Sequence, residues 1–302
     1  MIGLTLSSSR PPLRGLRHGL PVRLSRRADP VPAFVLANAP LSHLYSNESW
    51  WPSDVSEHVK HVVPEVNFTR VASSVTLETL STFGSDVFLT SPSWITSQVG
   101  IPDSTGHSAA PVTIVLVEKA NNTLDAFFFY FYSYDHGGKF GDHVGDWEHT
   151  MVRFVNGAPT AFYLSAHSDE RRPTNYIGVG THANYATPGQ HCHDLPGDLL
   201  CDQTDAGLLW DPALNYRAFW YDPAANAFTA PIDAEGASWL SFTGMWGDEQ
   251  YRVLEHGQYC IVIGDLVNEC RFSSGPTGPI AKNLNRTAVC QKEDGCTVET
   301  SL

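Results

Sequence analysis

The segment DAFFFYFYSY at residues 125–134 is followed, after a glycine-containing loop, by GDWEHTMVRF at residues 145–154. The first segment has aromatic side chains at both odd and even positions, which is typical of a strand that is buried on both faces. Exposure of so many rings would leave a large apolar patch, so we predict that this strand lies at the centre of a sheet. In the second segment, strand alternation places Asp146 and Glu148 on one face and His149 on the other.

Further strand candidates flank these two segments at short intervals. They lie at residues 113–117, 160–167, 176–182, 216–220 and 259–263, and an NGAP turn lies at residues 156–159. Short strands joined by hairpin turns indicate antiparallel sheets rather than alternating β and α units. We therefore predict a mainly β protein, an antiparallel β-sandwich of jelly-roll-like form with long loops and one or two short helices. One helix is expected after the capping residues Ser53 and Asp54.

The composition describes a chain that buries a substantial core. It has 302 residues, of which 42% are hydrophobic and 11% aromatic, and we predict a single β-rich domain over residues 28–302. The formal net charge of -13 argues against nucleic acid and anionic membranes as partners, because both repel an acidic surface. The sequence also lacks a run of roughly 18 apolar residues, so no transmembrane segment is predicted.

Residues 1–27 differ from the rest of the chain because they contain six arginines and no acidic residue. We predict a disordered leader or targeting segment that does not join the core. Its composition resembles a mitochondrial transit peptide, and it lacks the apolar region of about 7–15 residues that a secretory signal needs. The leader on its own therefore favours a mitochondrial location.

The cysteines favour a different compartment. They fall into three local pairs, Cys192 with Cys201, Cys260 with Cys270 and Cys290 with Cys296, which we interpret as disulfides although six cysteines allow 15 connectivities. The first pair is expected to close a loop over residues 189–207, and zinc binding by His191-Cys192-His193 is the less favoured alternative. Glycosylation sequons lie at Asn47, Asn67, Asn121 and Asn285. Disulfides and glycans together favour the vacuole or secretion over the mitochondrial alternative.

Acidic residues and histidines are concentrated between Asp135 and His182. His167 and His182 end two predicted strands, so both are expected near Asp146 and Glu148 at one end of the sheet. We predict Asp146, Glu148, His167 and His182 as the candidate catalytic residues. Glu148, His167 and His182 are the candidate metal ligands, and a divalent metal is the candidate cofactor. The same residue types serve general acid–base catalysis, and they also occur as structural groups that bind backbone amides.

Several strings in the sequence resemble the fungal vacuolar protein sorting-associated protein 62 family. They are YSNESWWPSDVSEHVKHVVPEVNFT, FYFYSYDHGGKFGDHVGDWEHTMVRFVNGAPTAFYLSAHS, GTHANYATPGQH, LLWDP, FTGMWGDEQY and GPTGP, and the resemblance covers roughly residues 39–302. The resemblance implies that the recurring polar residues of the family fall on Asp146, Glu148, His149, His167, His182, Asn184 and Asp211. It also implies a link to the delivery of proteins to the vacuole, but no reaction. The chain departs from the family at residues 169–172 (DERR), where the family usually has Gly, and this loop is expected to differ in partner choice.

The sequence is compatible with three functions. The first is a vacuolar or secreted protein that binds a small molecule, a glycan or a protein cargo through the polar cluster around GDWEH. The second is a lumenal metal-assisted hydrolase or small-molecule tailoring enzyme that uses Asp146 or Glu148 as a base. The third is a carbohydrate-binding module with stacking rings from Trp50, Trp51, Trp147, Trp210 and Trp246, although most of these rings are expected to lie in the core. The chain contains no HExxH, GxSxG or Walker signature that would select one enzyme class.

Overall fold

The computed structural model describes residues 31–91, 98–163, 172–193, 200–231, 236–263, 267–291 and 298–299. Its α-helices are α1 (Ala33–Ala37), α2 (Val55–His58) and α3 (Leu77–Leu80), and short 3-10 turns lie at Ser238–Ser241, Glu255–Gly257 and Pro279–Ala281. The strands of the first half are β1 (Leu41–His43), β2 (Val63–Val66), β3 (Thr69–Arg70), β4 (Phe88–Thr90), β5 (Val112–Lys119), β6 (Thr123–Asp135), β7 (His143–Val155) and β8 (Ala158–Tyr163). Those of the second half are β9 (Thr174–Ile177), β10 (Asn184–Tyr185), β11 (Gly189–Cys192), β12 (Cys201–Thr204), β13 (Leu209–Trp210), β14 (Tyr216–Asp222), β15 (Ala227–Thr229), β16 (Cys260–Ile263), β17 (Val267–Cys270) and β18 (Val298–Glu299).

A seven-stranded sheet forms the centre of the molecule, in the order β15-β14-β5-β6-β7-β8-β18. Strand β6 pairs with β5 on one side and with β7 on the other, and both pairings are antiparallel. Nearly every residue of β6 is buried, which confirms the central strand predicted from its aromatic sequence. Strand β14 is the exception in direction, because it lies parallel to β5.

Both faces of this sheet are covered. On one face, Phe128 packs in a core with Ile177 and Trp210, which belong to the four-stranded sheet β10-β9-β1-β13. On the other face, Phe129 packs in a second core with Trp239 and with residues of the three-stranded sheet β3-β2-β4 and the short helices. The protein is thus mainly β and mostly antiparallel, which agrees with the predicted β-sandwich. The smaller sheets and the short helices form the layers that cover the two faces of the central sheet.

The local structure follows the sequence predictions at the start of helix α2 and at the NGAP turn, but not at residues 178–182. Helix α2 begins after Asp54, whose side chain accepts a hydrogen bond from the Ser56 amide, as the capping signal predicts. The NGAP turn is confirmed, because Asn156 and Gly157 both have positive φ between β7 and β8. The predicted strand at 176–182 is wrong beyond Ile177, where the chain turns back on itself. The predicted loop at 189–207 contains the hairpin of β11 and β12.

Two of the predicted disulfides lie within the described residues and both are confirmed. Cys192 bonds Cys201 across β11 and β12, and Cys260 bonds Cys270 across β16 and β17. Cys296, the predicted partner of Cys290, lies outside the described residues, as does the basic leader. All four sequon asparagines are exposed. No helix in the described part of the chain is long and apolar enough to cross a membrane.

Candidate functional site

The candidate site lies at the loop end of the hairpin formed by β6 and β7. The register pairs Tyr132 with Asp146 and Asp135 with His143, so the carboxylates of Asp135 and Asp146 are brought to the same end of the sheet. The turn that follows β9 brings His182 to the same place. One ligand atom from each of Asp135, Asp146 and His182 lies within 4.8 Å of the other two.

His182 is fully buried and is held by three contacts. Its Nδ1 lies 3.0 Å from Oδ2 of Asp146, and its Nε2 lies 2.9 Å from the backbone oxygen of Trp50. Its ring stacks on that of Tyr132, with the centroids 3.6 Å apart and the planes 4° apart. Both ring nitrogens thus have a polar partner, which sets the orientation of the imidazole.

Two glycines make this arrangement sterically possible. Gly145 has a φ of 66°, and a Cβ at this position would lie 2.0 Å from the backbone oxygen of Trp246. Gly180 has a φ of 73°, and a Cβ there would lie 2.5 Å from the backbone oxygen of His136. Glycine is the residue that tolerates both the positive φ and the close approach. The two glycines therefore position Asp146 and the His182 turn.

Glu148 lies next to this cluster in a chain of side-chain amides. Its Oε2 accepts a hydrogen bond of 3.1 Å from Asn184, whose side-chain oxygen accepts one from Asn175. Asn175 in turn accepts a bond of 2.8 Å from Ser42 on β1. This network links the central sheet to the four-stranded sheet and fixes the orientation of the Glu148 carboxyl group.

The carboxyl groups of the cluster disfavour each other's charge. Burial, followed by the negative charge of Asp146, raises the pKa of Glu148 to about 8. Burial and the charges of Asp146 and Glu148 raise the pKa of Asp135 well above its ordinary value. A carboxylic acid with a pKa near 8 is mostly protonated at neutral pH and is able to donate a proton or a hydrogen bond.

A cleft of roughly 370 Å³ adjoins the cluster. We call it the Trp50 cleft; its lining includes Glu48, Trp50, His136, Gly180, Thr181 and Asp202. Trp50 is also joined to His182 through its backbone oxygen, and His136 directly follows Asp135 in the chain. None of the described residues that line the cleft is Lys or Arg. Its surroundings are therefore acidic and aromatic, which suits a neutral or cationic ligand and not an anion.

The wall of the Trp50 cleft is held by Glu48. One carboxylate oxygen of Glu48 accepts hydrogen bonds of 2.7 Å from the amides of Ser49 and Trp50, and the other accepts one of 3.0 Å from the amide of Gly180. These bonds join two segments that are 132 residues apart in sequence. Glu48 thus fixes the position of the Trp50 ring relative to the His182 turn.

Two known proteins are similar to most of the chain. Vacuolar protein sorting-associated protein 62 of Saccharomyces cerevisiae is 34% identical over 349 residues, which cover 94% of this chain and 73% of the relative. The putative vacuolar protein sorting-associated protein TDA6 of the same yeast is 33% identical over 327 residues, which cover 86% of this chain and 68% of the relative. The chain belongs to the vacuolar protein sorting-associated protein 62 family. No protein-family model matches it.

One solved structure, NLPPya in complex with glucosamine, shows a weak similarity to this member of the vacuolar protein sorting-associated protein 62 family. The superposition covers 67% of this chain and 80% of the NLPPya chain, with 12% sequence identity and a TM-score of 0.30. A superposition this poor carries no argument about fold or ligand.

The structure brings together three of the four residues predicted for the site of this family member. Asp146 and His182 are in direct contact, and Glu148 lies beside them. His167 lies outside the described residues. His149 faces away, as strand alternation predicts: its ring stacks on Phe129 in the opposite core, 5.2 Å between centroids.

Three further residues belong to the site, of which the sequence pointed only to Trp50, as a candidate stacking ring. Asp135 directly follows the predicted strand at residues 125–134, and pairing that strand with β7 would have placed it beside Asp146. Glu48 carries no local signal, because its role depends on a contact with a residue 132 positions away. Of the other recurring family residues, Asn184 supports Glu148, whereas Asp211 is structural and binds the Arg172 guanidinium through two hydrogen bonds.

Proposed function

We propose that this protein binds a small, neutral or cationic, polyhydroxylated ligand in the Trp50 cleft, as part of vacuolar protein sorting. The observation that carries the proposal is an acidic cleft with an aromatic wall directly beside a buried cluster of polar groups. Carboxylates and Thr181 supply hydrogen-bonding partners for ligand hydroxyl groups, and Trp50 offers an apolar surface for the ligand's carbon skeleton. The other tryptophans proposed for stacking include Trp147, Trp210 and Trp246, which are buried in the core.

A calorimetric titration with a panel of sugars tests the ligand class. Neutral and amino sugars are expected to bind saturably, and uronic acids are expected to bind more weakly because the described lining has carboxylates and no Lys or Arg. Trp50→Ala is expected to weaken binding at least tenfold. Phe68→Ala serves as the matched control, because Phe68 is another partly exposed ring outside the described lining of the Trp50 cleft. Equal affinities for Trp50→Ala and wild type would contradict the proposal.

The cellular role is proposed from the two yeast relatives, whose names associate them with vacuolar protein sorting. These relatives give no support to the mitochondrial alternative. A deletion strain complemented with wild type, Trp50→Ala or Phe68→Ala, scored for delivery of a vacuolar reporter, tests whether the cleft is needed. We expect wild type and Phe68→Ala to restore delivery and Trp50→Ala to fail at equal protein abundance. Normal delivery in the deletion strain would remove the basis for this role.

A second candidate function is a hydrolase, and it is favoured by one observation. Glu148, whose pKa is raised to about 8, lies beside the Asp146–His182 pair, and in this function it is the group that would exchange a proton with the bound ligand. In this case Glu148→Gln, which keeps the bond to Asn184 but cannot act as an acid or base, would abolish turnover of a bound glycoside while leaving its binding intact. Binding without turnover in the wild type would favour the first function.

A further inference from the structure

Two buried carboxylates and one buried histidine converge on a single point beside the Trp50 cleft. Asp135 is 7% exposed, Asp146 is 5% exposed and His182 is fully buried. Asp135 and Asp146 are held by adjacent, paired strands, whereas His182 comes from the turn after β9. Their potential ligand atoms all lie within 4.8 Å of one another, which is the spacing at which three groups can share one ion with bonds of about 2.0–2.6 Å.

Carboxyl groups outnumber basic groups around this point. Two carboxyl groups face one imidazole, and those of Glu148, Asp142 and Asp202 lie close enough to act on Asp135. Buried charges in proteins are normally paired or coordinate a metal ion. A divalent cation would supply the positive charge that the two aspartates share.

The orientation of His182 independently points to a ligand. Its Nε2 is fixed by the backbone oxygen of Trp50, which leaves Nδ1 facing the carboxylate of Asp146. Histidines that bind metals almost always donate the other ring N–H to a carbonyl or carboxylate group, because this bond fixes the tautomer and directs the free nitrogen at the ion. The contact with Trp50 has this form.

A buried polar group without a partner lies beside His182. The hydroxyl group of Tyr132 is fully buried and has no hydrogen-bond partner among the residues that the structure describes, although the Tyr132 ring lies flat against that of His182. The negative charges of Asp146, Glu48 and Glu148 act on this hydroxyl. Buried hydroxyl groups are rarely left without a partner, and a water molecule bound to a cation in the cluster would provide one.

We propose that Asp135, Asp146 and His182 hold one divalent cation of the Mg²⁺ or Mn²⁺ type, whose remaining positions are filled by water or by the ligand. Two carboxylates suit both ions, and of the two Mn²⁺ accepts an imidazole nitrogen more readily. The His182 Nδ1 proton is released to solvent when the ion binds, and the ion replaces the Nδ1–H to Asp146 hydrogen bond. The inference rests on the proposed function in one respect: the ion lies beside the Trp50 cleft and is expected to contribute to ligand binding there.

Titration of the chelator-treated full chain with Mn²⁺, without sugar, tests the site. We expect one equivalent to bind, a thermal midpoint that rises by several degrees with saturating Mn²⁺, and competition by Mg²⁺. Asp135→Asn is expected to weaken binding at least tenfold, whereas Glu78→Gln, which changes an exposed carboxylate elsewhere, serves as the matched control. Loss of saturable binding in the wild type, or equal binding by Asp135→Asn and wild type, would overturn the proposal.

A spectroscopic measurement separates a lost ligand from a lost fold. Electron spin-echo spectra of the bound Mn²⁺ are expected to show coupling to one imidazole nitrogen in wild type and in Glu78→Gln, and to lose that coupling in His182→Gln. A wild-type spectrum without nitrogen coupling would exclude His182 as a ligand and overturn the assignment. If Mn²⁺ binds but no sugar does, the proposed function fails and the cation site stands. If sugars bind equally well to the metal-free protein and Mn²⁺ does not bind, the cation site fails alone.

Discussion

His58 shows how a single buried side chain sets the response to acid. It lies on α2 and is 1% exposed; its Nδ1 is 3.2 Å from the Ser133 hydroxyl oxygen, and its ring packs edge-on against Phe131. Burial lowers the pKa of His58 to about 3, against a small opposing contribution from the Trp246 backbone. The ring is therefore neutral in the folded protein over the whole physiological range.

We predict that His58 destabilises the folded state progressively below about pH 6.5. Below pH 6.5 the His58 imidazole takes up a proton in the unfolded chain, whereas in the folded chain it does so only near pH 3. The free energy of unfolding therefore decreases as the pH falls below 6.5. At pH 5 this amounts to about 2 kcal/mol. Urea unfolding should therefore show that the free energy of unfolding decreases between pH 7 and pH 5 by about 2 kcal/mol more in wild type than in His58→Phe. His61→Ala, at an exposed histidine on the same segment, should behave like wild type, and a parallel pH response of His58→Phe would refute the prediction.

At the scale of elements, the pairing of β6 with β7 contains one buried ion pair. Asp125 and Arg153 lie directly opposite each other in the register, and the guanidinium donates hydrogen bonds of 2.6 and 2.7 Å to the two carboxylate oxygens. The Asp125 side chain is fully buried, and Lys119 adds a contact of 3.5 Å. The pair fixes the two longest strands in one register because a slip of one residue would separate the charges.

We predict that Arg153→Met lowers the free energy of unfolding by about 3–5 kcal/mol, because it leaves most of the Asp125 charge uncompensated in the core. Arg217→Met is the matched control. Arg217 makes a similar two-bond contact with Asp54, but both side chains are partly exposed, so its loss should cost only about 1 kcal/mol. Urea unfolding compares the two variants; similar losses would show that burial does not decide the strength of these pairs.

At the scale of the whole molecule, the central sheet is packed on both faces. Phe128 and Phe129 are adjacent in β6, are both fully buried and belong to different cores. In a two-layer sandwich with one face in water, one of the two side chains would be exposed.

We therefore predict that Phe128→Ala and Phe129→Ala each lower the free energy of unfolding by about 3–5 kcal/mol. Thermal or urea unfolding measures both. Phe68→Ala, at an exposed ring, is expected to change stability by less than about 0.5 kcal/mol. A small effect at either Phe128 or Phe129 would mean that the layer over that face is absent in solution.

The success of the sequence predictions follows the range of the contacts involved. The centre of β6, the two faces of β7 and the cap at Asp54 depend on neighbouring residues, and all three were predictable. The turn that ends at His182 was not, because its sequence fits a strand and the turn is held by Glu48 from a distant segment. The pairing of residues 216–220 with β5 was also not predictable. Each segment has the sequence pattern of a strand, but no local sequence feature indicates that the two strands are parallel.

That parallel pairing also constrains the order in which the molecule can fold. Strand β5 meets β14 through Val112 and Tyr216, so about 100 residues separate the partners along the chain. Contacts between such distant segments form slowly, because closing the intervening loop costs entropy before any contact is gained. Until β14 has emerged from the ribosome and docked, one edge of β5 has no strand beside it. The other edge of β5 pairs with β6, which contains the aromatic segment at residues 125–134. The newly made protein therefore passes through a stage at which it is exposed to self-association, and its yield is expected to depend on chaperones in the compartment where it is made.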